Sequence, residues 1–243
     1  MDPFHHGGRR VAFFGGSFDP PHLGHLAVAR AARVALKLDT VLFAPVGAQP
    51  LKPGGSSASF ADRLEMTRLA IAEEPGFSLS LADAPKPAGV PNYTLETLLK
   101  LRAVLPPDGE LFCLMGADSY FNLRSWHGAA KIPFAASLIV ASRPDQRPDQ
   151  RIAGLIAALP AGLTMESALG EDKTEGGIEI CSYFLLNSAG DRAPFYLLPG
   201  LNVEISASEI REQIHSAPES RTGGHELLPN AVSTYIRLHG LYS

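Results

Sequence analysis

The sequence predicts an α/β fold, a twisted and mostly parallel sheet with helices on both faces. Two observations carry that expectation. Apolar runs of four to six residues alternate with longer stretches of helical periodicity, and strands that alternate with helices pair in parallel. In addition, the first run ends in Gly15-Gly16 and leads through a turn into a helical pattern, a strand, glycine turn and helix in succession.

Taken in order, Val11–Phe14 is the first strand and Leu23–Leu36 the first helix. Val41–Ala44 is a second strand that ends at Pro45, and the stretch from there to Ser59, rich in Pro, Gly and Ser, reads as a mobile loop. Helical spacing returns at Phe60–Ala72, and a strand-like alternation at Phe77–Leu81. Thr94–Leu105 reads as a helix with Leu95, Leu98, Leu99 and Leu101 on its apolar side and its start near Thr94. Leu111–Met115 and Ala136–Ala141 are buried strands. The tandem Arg143-Pro144-Asp145-Gln146 and Arg147-Pro148-Asp149-Gln150 is an exposed loop before a helix at Ile152–Leu159. Periodicity is poor from Leu163 to Asp191, where Ile178–Leu186 is a strand or hairpin. Phe195–Leu198 is the last strand, and helices follow at Glu209–His215 and Ala231–His239. We read one domain over residues 10–243, with 163–191 as an insertion and 1–9 as an N-terminal extension.

Composition excludes several function classes. With 243 residues, 45% hydrophobic and 19% charged, the chain has material for a sizeable core. Lys and Arg number 21 against 25 Asp and Glu, a net charge of −4, which removes any global electrostatic case for nucleic-acid or membrane-surface binding. No apolar run approaches the roughly 20 residues that span a bilayer, and Met1–Arg10 lacks the apolar stretch of a signal peptide. The chain is therefore expected to stay in the cytosol. Cys113 and Cys181 each sit in an apolar run and read as core thiols rather than a disulfide or zinc site.

In an open parallel sheet, ligands bind outside the carboxyl ends of the strands. The polar candidates gather there. The first strand is followed by Gly15–His25, the second by Gln49-Pro50-Leu51-Lys52, and the later ones by Gly116 and Asp118, by Arg143, and by Ser206, Ser208 and Arg211. Two glycines let backbone amides approach a ligand, and the free N–H groups of the following helix extend a cradle for anionic oxygens. His22 and His25 stand three apart at that helix start, placed to donate to one phosphate without permanent full charge. The loop is neither a Walker A sequence nor the Gly-x-Gly-x-x-Gly fingerprint. A zinc site on His22, His25 and Asp19 lacks a second cluster of ligands at matching distance.

Gly15-Gly16-Ser17-Phe18-Asp19-Pro20-Pro21-His22-Leu23-Gly24-His25 resembles the first signature of the His-x-Gly-His nucleotidylyltransferases, and Ile205-Ser206-Ala207-Ser208-Glu209-Ile210-Arg211 resembles their second. Within that superfamily the details are similar to the bacterial nicotinate-nucleotide adenylyltransferases. These details are Asn92-Tyr93-Thr94 before a helix, Gly116-Ala117-Asp118-Ser119 followed by Trp126, Ile139–Pro144, and the ending Leu227-Leu228-Pro229 to Leu241-Tyr242.

The resemblance implies a Rossmann-like arrangement and transfer of AMP from ATP to nicotinate mononucleotide. It implies that Gly15, Gly16, Ser17, Phe18, His22, His25, Gly116, Asp118, Ser206, Ser208 and Arg211 bind ATP, with Mg²⁺ carried on the phosphates. Lys52, Tyr93, Thr94, Trp126 and Arg143 would face the mononucleotide, and His22, His25, Lys52 and Arg211 would bear the charge of the transition state. Trp126, the single tryptophan, would stack on the pyridine ring. One departure is Leu51 before Lys52, where many relatives carry histidine, which bears on substrate affinity more than on reaction type.

Three other readings stand beside this one. The acceptor is nicotinamide mononucleotide, or it is another molecule such as phosphopantetheine, against which Asn92-Tyr93-Thr94 and Trp126 speak; or the chain binds nucleotides without turnover. The stretch 163–191 is a flap, a contact between copies of a homo-oligomer, or a passive loop. His5, His6, His127, His215, His225 and His239 carry no motif and read as surface or structural.

Overall fold

A computed structural model of the chain describes residues 9–51, 54–142, 148–168, 173–201, 205–216 and 224–243. The chain runs through β1 (Arg10–Gly16), α1 (Leu23–Ala35), β2 (Thr40–Pro45), α2 (Phe60–Ile71) and β3 (Phe77–Leu79). It continues through α3 (Thr94–Val104), β4 (Glu110–Gly116), α4 (Ala117–Phe121), α5 (Ile132–Ala135) and β5 (Ser137–Ala141). Then come α6 (Pro148–Ala157), β6 (Thr164–Ser167), β7 (Lys173–Glu175), β8 (Ile178–Leu186), β9 (Arg192–Leu198), α7 (Ala207–Ser216) and α8 (Asn230–His239).

The strand order is β3-β2-β1-β4-β5-β9-β8-β6, with β7 paired to β8. From β3 to β9 every neighbouring pair is parallel, whereas β8 runs antiparallel to β9, β6 and β7. The mostly parallel, doubly covered sheet expected from the sequence is present. Alternation along the strands divides the core between the two faces. Ala12, Phe14, Phe43 and Leu114 point to one side with α1, α2, α7 and α8, and Val11, Phe13, Leu42 and Cys113 to the other with α3 to α6. Cys113 and Cys181 are both buried in the core, as expected.

The order 3-2-1-4 places the topological switch between β1 and β4. Their ladder stops at the pair Phe13 and Cys113, three residues before the strands end at Gly16 and Gly116. The two strands part at their carboxyl ends, and a crevice opens where ligands bind in such sheets.

Two expectations are corrected, and two short helices are added. Leu99 is 52% exposed, because α3 presents Leu95, Leu98 and Leu101 to the sheet and a neighbour one residue on is turned away by about 100°. Thr164–Ser167 and Lys173–Glu175 are strands in the stretch read as lacking periodicity, whereas Ile178–Leu186 is a strand as expected, with Cys181 and Leu185 buried in the core face. The short helices α4 and α5 escape a periodicity reading, since neither is long enough to show a repeat.

Candidate active site

A cleft of about 980 Å³ opens at the carboxyl ends of β1, β2, β4 and β5. Gly15, Gly16, Ser17, Phe18, His22, His25, Gly116 and Asp118 line one part of it, and Tyr93, Thr94 and Trp126 another. Thus most sequence candidates meet in a single cavity. Lys52 and Arg143 lie outside the described residues. Ser206, Ser208 and Arg211 stand just past Ile205, the last residue of the cleft wall on that side.

The glycine turn is forced by packing. A Cβ on Gly15 would lie 2.7 Å from the Phe13 ring, so any side chain there displaces a core aromatic. Gly116 is the opposite case, because a Cβ would meet no atom within 4 Å, and the strand end is open to the cleft. Phe18 adopts a positive φ of 46° and is 1% exposed. Its ring packs edge-on against Phe14 and His25 at 5.6 and 5.0 Å, which holds the strained turn in place. Phe18 is therefore the floor of the cleft.

His22 and His25 stack with ring centroids 3.7 Å apart. The backbone N–H of His22 donates to His25 Nδ1 at 3.2 Å. In the neutral ring this leaves the His25 proton on Nε2. His22 is 5% exposed, and its Nδ1 is buried without a partner. Burial pushes the His22 pKa from 6.5 down to about 4, and burial together with the charge of His22 pushes His25 well below its usual value. Both rings are neutral donors at neutral pH.

A stability prediction follows from that shift. Between pH 6.5 and about 4 the unfolded chain binds a proton at His22 that the folded chain refuses. The ligand-free protein should lose stability as pH falls through that window, by about 3 kcal/mol for this group. Urea unfolding at pH 7 and pH 4.5 should show the loss, and His22→Gln should reduce it. An identical pH slope in the variant would contradict the assignment.

The opposite end of the cleft is built on the start of α3. Asn92 is a strut: its side chain accepts from the Ala48 N–H and donates to the Ala84 carbonyl, both at 3.0 Å. It fixes Tyr93 at the position before α3, so the helix N-terminus faces the cleft. Tyr93 packs at a tilt against His127 with centroids 4.4 Å apart, and His127 itself lines the cleft. This corrects the reading of His127 as a residue without a site, whose only sequence signal is its place beside Trp126. Asp83, a buried carboxyl also on the wall, accepts from Thr97 Oγ1 at 2.7 Å, and burial pushes its pKa up.

On the far side, Arg211 Nη1 donates to the Asp19 carbonyl at 2.7 Å and Nη2 to Ser208 Oγ at 3.2 Å. Ser206 Oγ faces the Glu209 N–H at 3.5 Å and starts α7. The two motifs, 192 residues apart, are thereby joined. The Asp19 carboxylate is engaged by the backbone N–H groups of Ser57 and Ala58 and by the Tyr242 hydroxyl. Among the described residues, no group of three or more His, Cys, Asp or Glu is placed to hold a metal, and no helix is long and apolar enough to cross a membrane.

Comparison with known proteins places these features in context. Residues 13–213 match the family model described as cytidylyltransferase-like. The probable nicotinate-nucleotide adenylyltransferase of Gloeobacter violaceus is 35% identical over 235 residues, covering 97% of each chain. That of Thermus thermophilus is 34% identical, covering 96% of this chain and 99% of the relative. The fold is similar to that of Plasmodium falciparum nicotinic acid mononucleotide adenylyltransferase complexed with NaAD, at a TM-score of 0.65 and 16% identity over 96% of this chain and 97% of that one.

Proposed function

The chain belongs to the nicotinate-nucleotide adenylyltransferases of the cytidylyltransferase-like family, and from that premise we propose how its cleft transfers AMP from ATP to nicotinate mononucleotide. The observation that carries the proposal is the neutral, stacked His22–His25 pair beside a glycine turn, in the wall of a cleft also lined by Tyr93 and Trp126.

An oxygen of the mononucleotide phosphate attacks the α-phosphorus of ATP. The bond to the β-phosphate oxygen breaks, and pyrophosphate leaves with the electron pair. The attacking oxygen is already ionised at pH 7, so no general base is needed, and catalysis rests on placement and charge stabilisation. In this reading Gly15, Gly16 and Ser17 supply backbone approach, and His22 and His25 donate to the α-phosphate and the departing oxygens. Ser206, Ser208 and Arg211 hold the β and γ phosphates at the start of α7. Gly116 and Asp118 border the nucleoside, over the open space at Gly116. Lys52 and Arg143 are the proposed cations for the mononucleotide phosphate or the α-phosphate.

The donor set suits Mg²⁺ carried by the substrate. That ion prefers phosphate oxygens and water to an all-protein cage, and when bound it would neutralise charge on the triphosphate.

At the acceptor end, Trp126 stacks on the pyridine ring, and the free amides at Tyr93 and Thr94 meet the nicotinate carboxylate at the positive end of α3. Trp126→Ala should raise KM for the mononucleotide by about fivefold to a hundredfold, the range of a lost base-stacking contact, and change KM for ATP less than twofold. An equal rise in both would remove the stacking role.

We place the reaction in the cytosol, with small-molecule substrates and no nucleic acid. Purified protein with ATP and Mg²⁺, offered nicotinate mononucleotide and nicotinamide mononucleotide in parallel, tests the acceptor. Dinucleotide mainly from the acid is expected. Product mainly from the amide would overturn the carboxylate pocket and keep the mechanism.

A further inference from the structure

Asp19 belongs to the glycine-turn segment and is 4% exposed, and its carboxylate is fully engaged outside that segment. It accepts three bonds: from the backbone N–H groups of Ser57 at 2.6 Å and Ala58 at 3.1 Å, and from the hydroxyl of Tyr242 at 2.7 Å. Its own backbone carbonyl is the acceptor for Arg211. One residue is thus gripped by the second motif on one side and by the next-to-last residue of the chain on the other.

A buried guanidinium completes the arrangement. Arg63 on α2 is 2% exposed and donates to the carbonyls of Ser17 at 2.7 Å and Val46 at 2.9 Å. Burial lowers its pKa, and the nearby Asp19 carboxylate pushes it back up, so the acid and this arginine share one low-dielectric setting. Hydrogen bonds to charged partners in such surroundings are the strong ones.

The C-terminal turn delivers Tyr242 to this place. Gly240, with φ of 58°, ends α8 in the left-handed region, and Tyr242 itself has a φ of 66°. A tyrosine holds that conformation only where its surroundings impose it. Tyr235 on α8 also donates to Asp62 on α2 at 3.0 Å, which anchors the helix from which the turn departs.

We propose that Tyr242 is a positioning residue for the triphosphate, its hydroxyl holding Asp19 so that Arg211 and the glycine turn keep their mutual geometry. It touches no substrate and acts through Asp19. The inference rests on the transfer reading above for its kinetic consequence, and on the geometry alone for its effect on polyphosphate binding.

Tyr242→Phe keeps the ring and deletes the bond. The test compares it with the unsubstituted protein in three readouts: Kd for inorganic tripolyphosphate with Mg²⁺, KM for each substrate, and kcat. Tripolyphosphate Kd and KM for ATP should both rise about tenfold, the scale of one lost bond to a buried charge, with kcat reduced and KM for the mononucleotide unchanged within about twofold. In an Arg211→Ala background the same change should add little, since residues sharing one network are not additive. Unchanged ATP and tripolyphosphate binding, or equal worsening of both substrates, would overturn the proposal, as would a full tenfold effect in the Arg211→Ala background. If the unsubstituted protein forms no dinucleotide but the tripolyphosphate difference is seen, the transfer reading fails and the positioning role stands. If it turns over normally and both proteins bind tripolyphosphate alike, the positioning role fails alone.

Discussion

His25→Ala is expected to lower kcat by a hundredfold or more with the fold intact. The account gives His25 a neutral Nε2–H donor, fixed because Nδ1 accepts the His22 N–H at 3.2 Å, and places it where negative charge develops at the α-phosphorus. Loss of one preorganised donor to such charge costs about 2.7–4 kcal/mol in other enzymes that stabilise an oxyanion. The bond to His22 also caps α1, so a modest loss of about 1 kcal/mol of stability should accompany the change. His25→Gln keeps a polar side chain at the same site and separates these two effects. Because the contribution lies in the transition state, kcat should fall while KM for ATP moves little. A rate within fivefold of the original protein would remove His25 from the mechanism.

Arg211→Ala should act on a different constant. The guanidinium bonds the Asp19 carbonyl and Ser208 Oγ, and in the proposed complex it also meets the β and γ phosphates. A hydrogen bond to a charged group is worth about 1.5–3 kcal/mol. KM for ATP should therefore rise by at least tenfold, with a further loss in kcat because the leaving pyrophosphate is held less well. Mononucleotide KM should be nearly unchanged. Steady-state kinetics with each substrate varied in turn checks this, and normal ATP handling would show that the second motif does not serve the triphosphate.

Much of this was legible in the sequence because local signals and global architecture agree. The run Val11–Phe14, its glycines and the helix from Leu23 each announce themselves, and the observed α1 starts at Leu23. The convergence of Gly15–Phe18, His22, His25 and Gly116 on one cleft follows from the rule for parallel sheets, Tyr93 and Trp126 are indicated by the family resemblance, and all of them are seen in the cavity wall. The losses have physical causes. Leu99 follows the composition of its helix and not its packing. The strands Thr164–Ser167 and Lys173–Glu175 are short, partly exposed and antiparallel, so their alternation is weak against a polar, glycine-rich background, whereas the longer Ile178–Leu186 is legible. His127 has no motif, and its place in the cleft comes from packing against Tyr93 across 34 positions of sequence. The contacts of Arg63 and Tyr242 are not legible for the same reason, since a buried polar network joins segments far apart along the chain, although Tyr242 itself lies in the family ending.

The central claim is that the α-phosphoryl group of ATP, with its adenosine, moves to the mononucleotide. ATP labelled separately at the α and γ phosphorus, incubated with nicotinate mononucleotide and Mg²⁺, tests it most directly. The account predicts α-label in the dinucleotide and γ-label in pyrophosphate, in equal amounts and at equal rates. Recovery of γ-label on the mononucleotide, with ADP as the partner product, would contradict it.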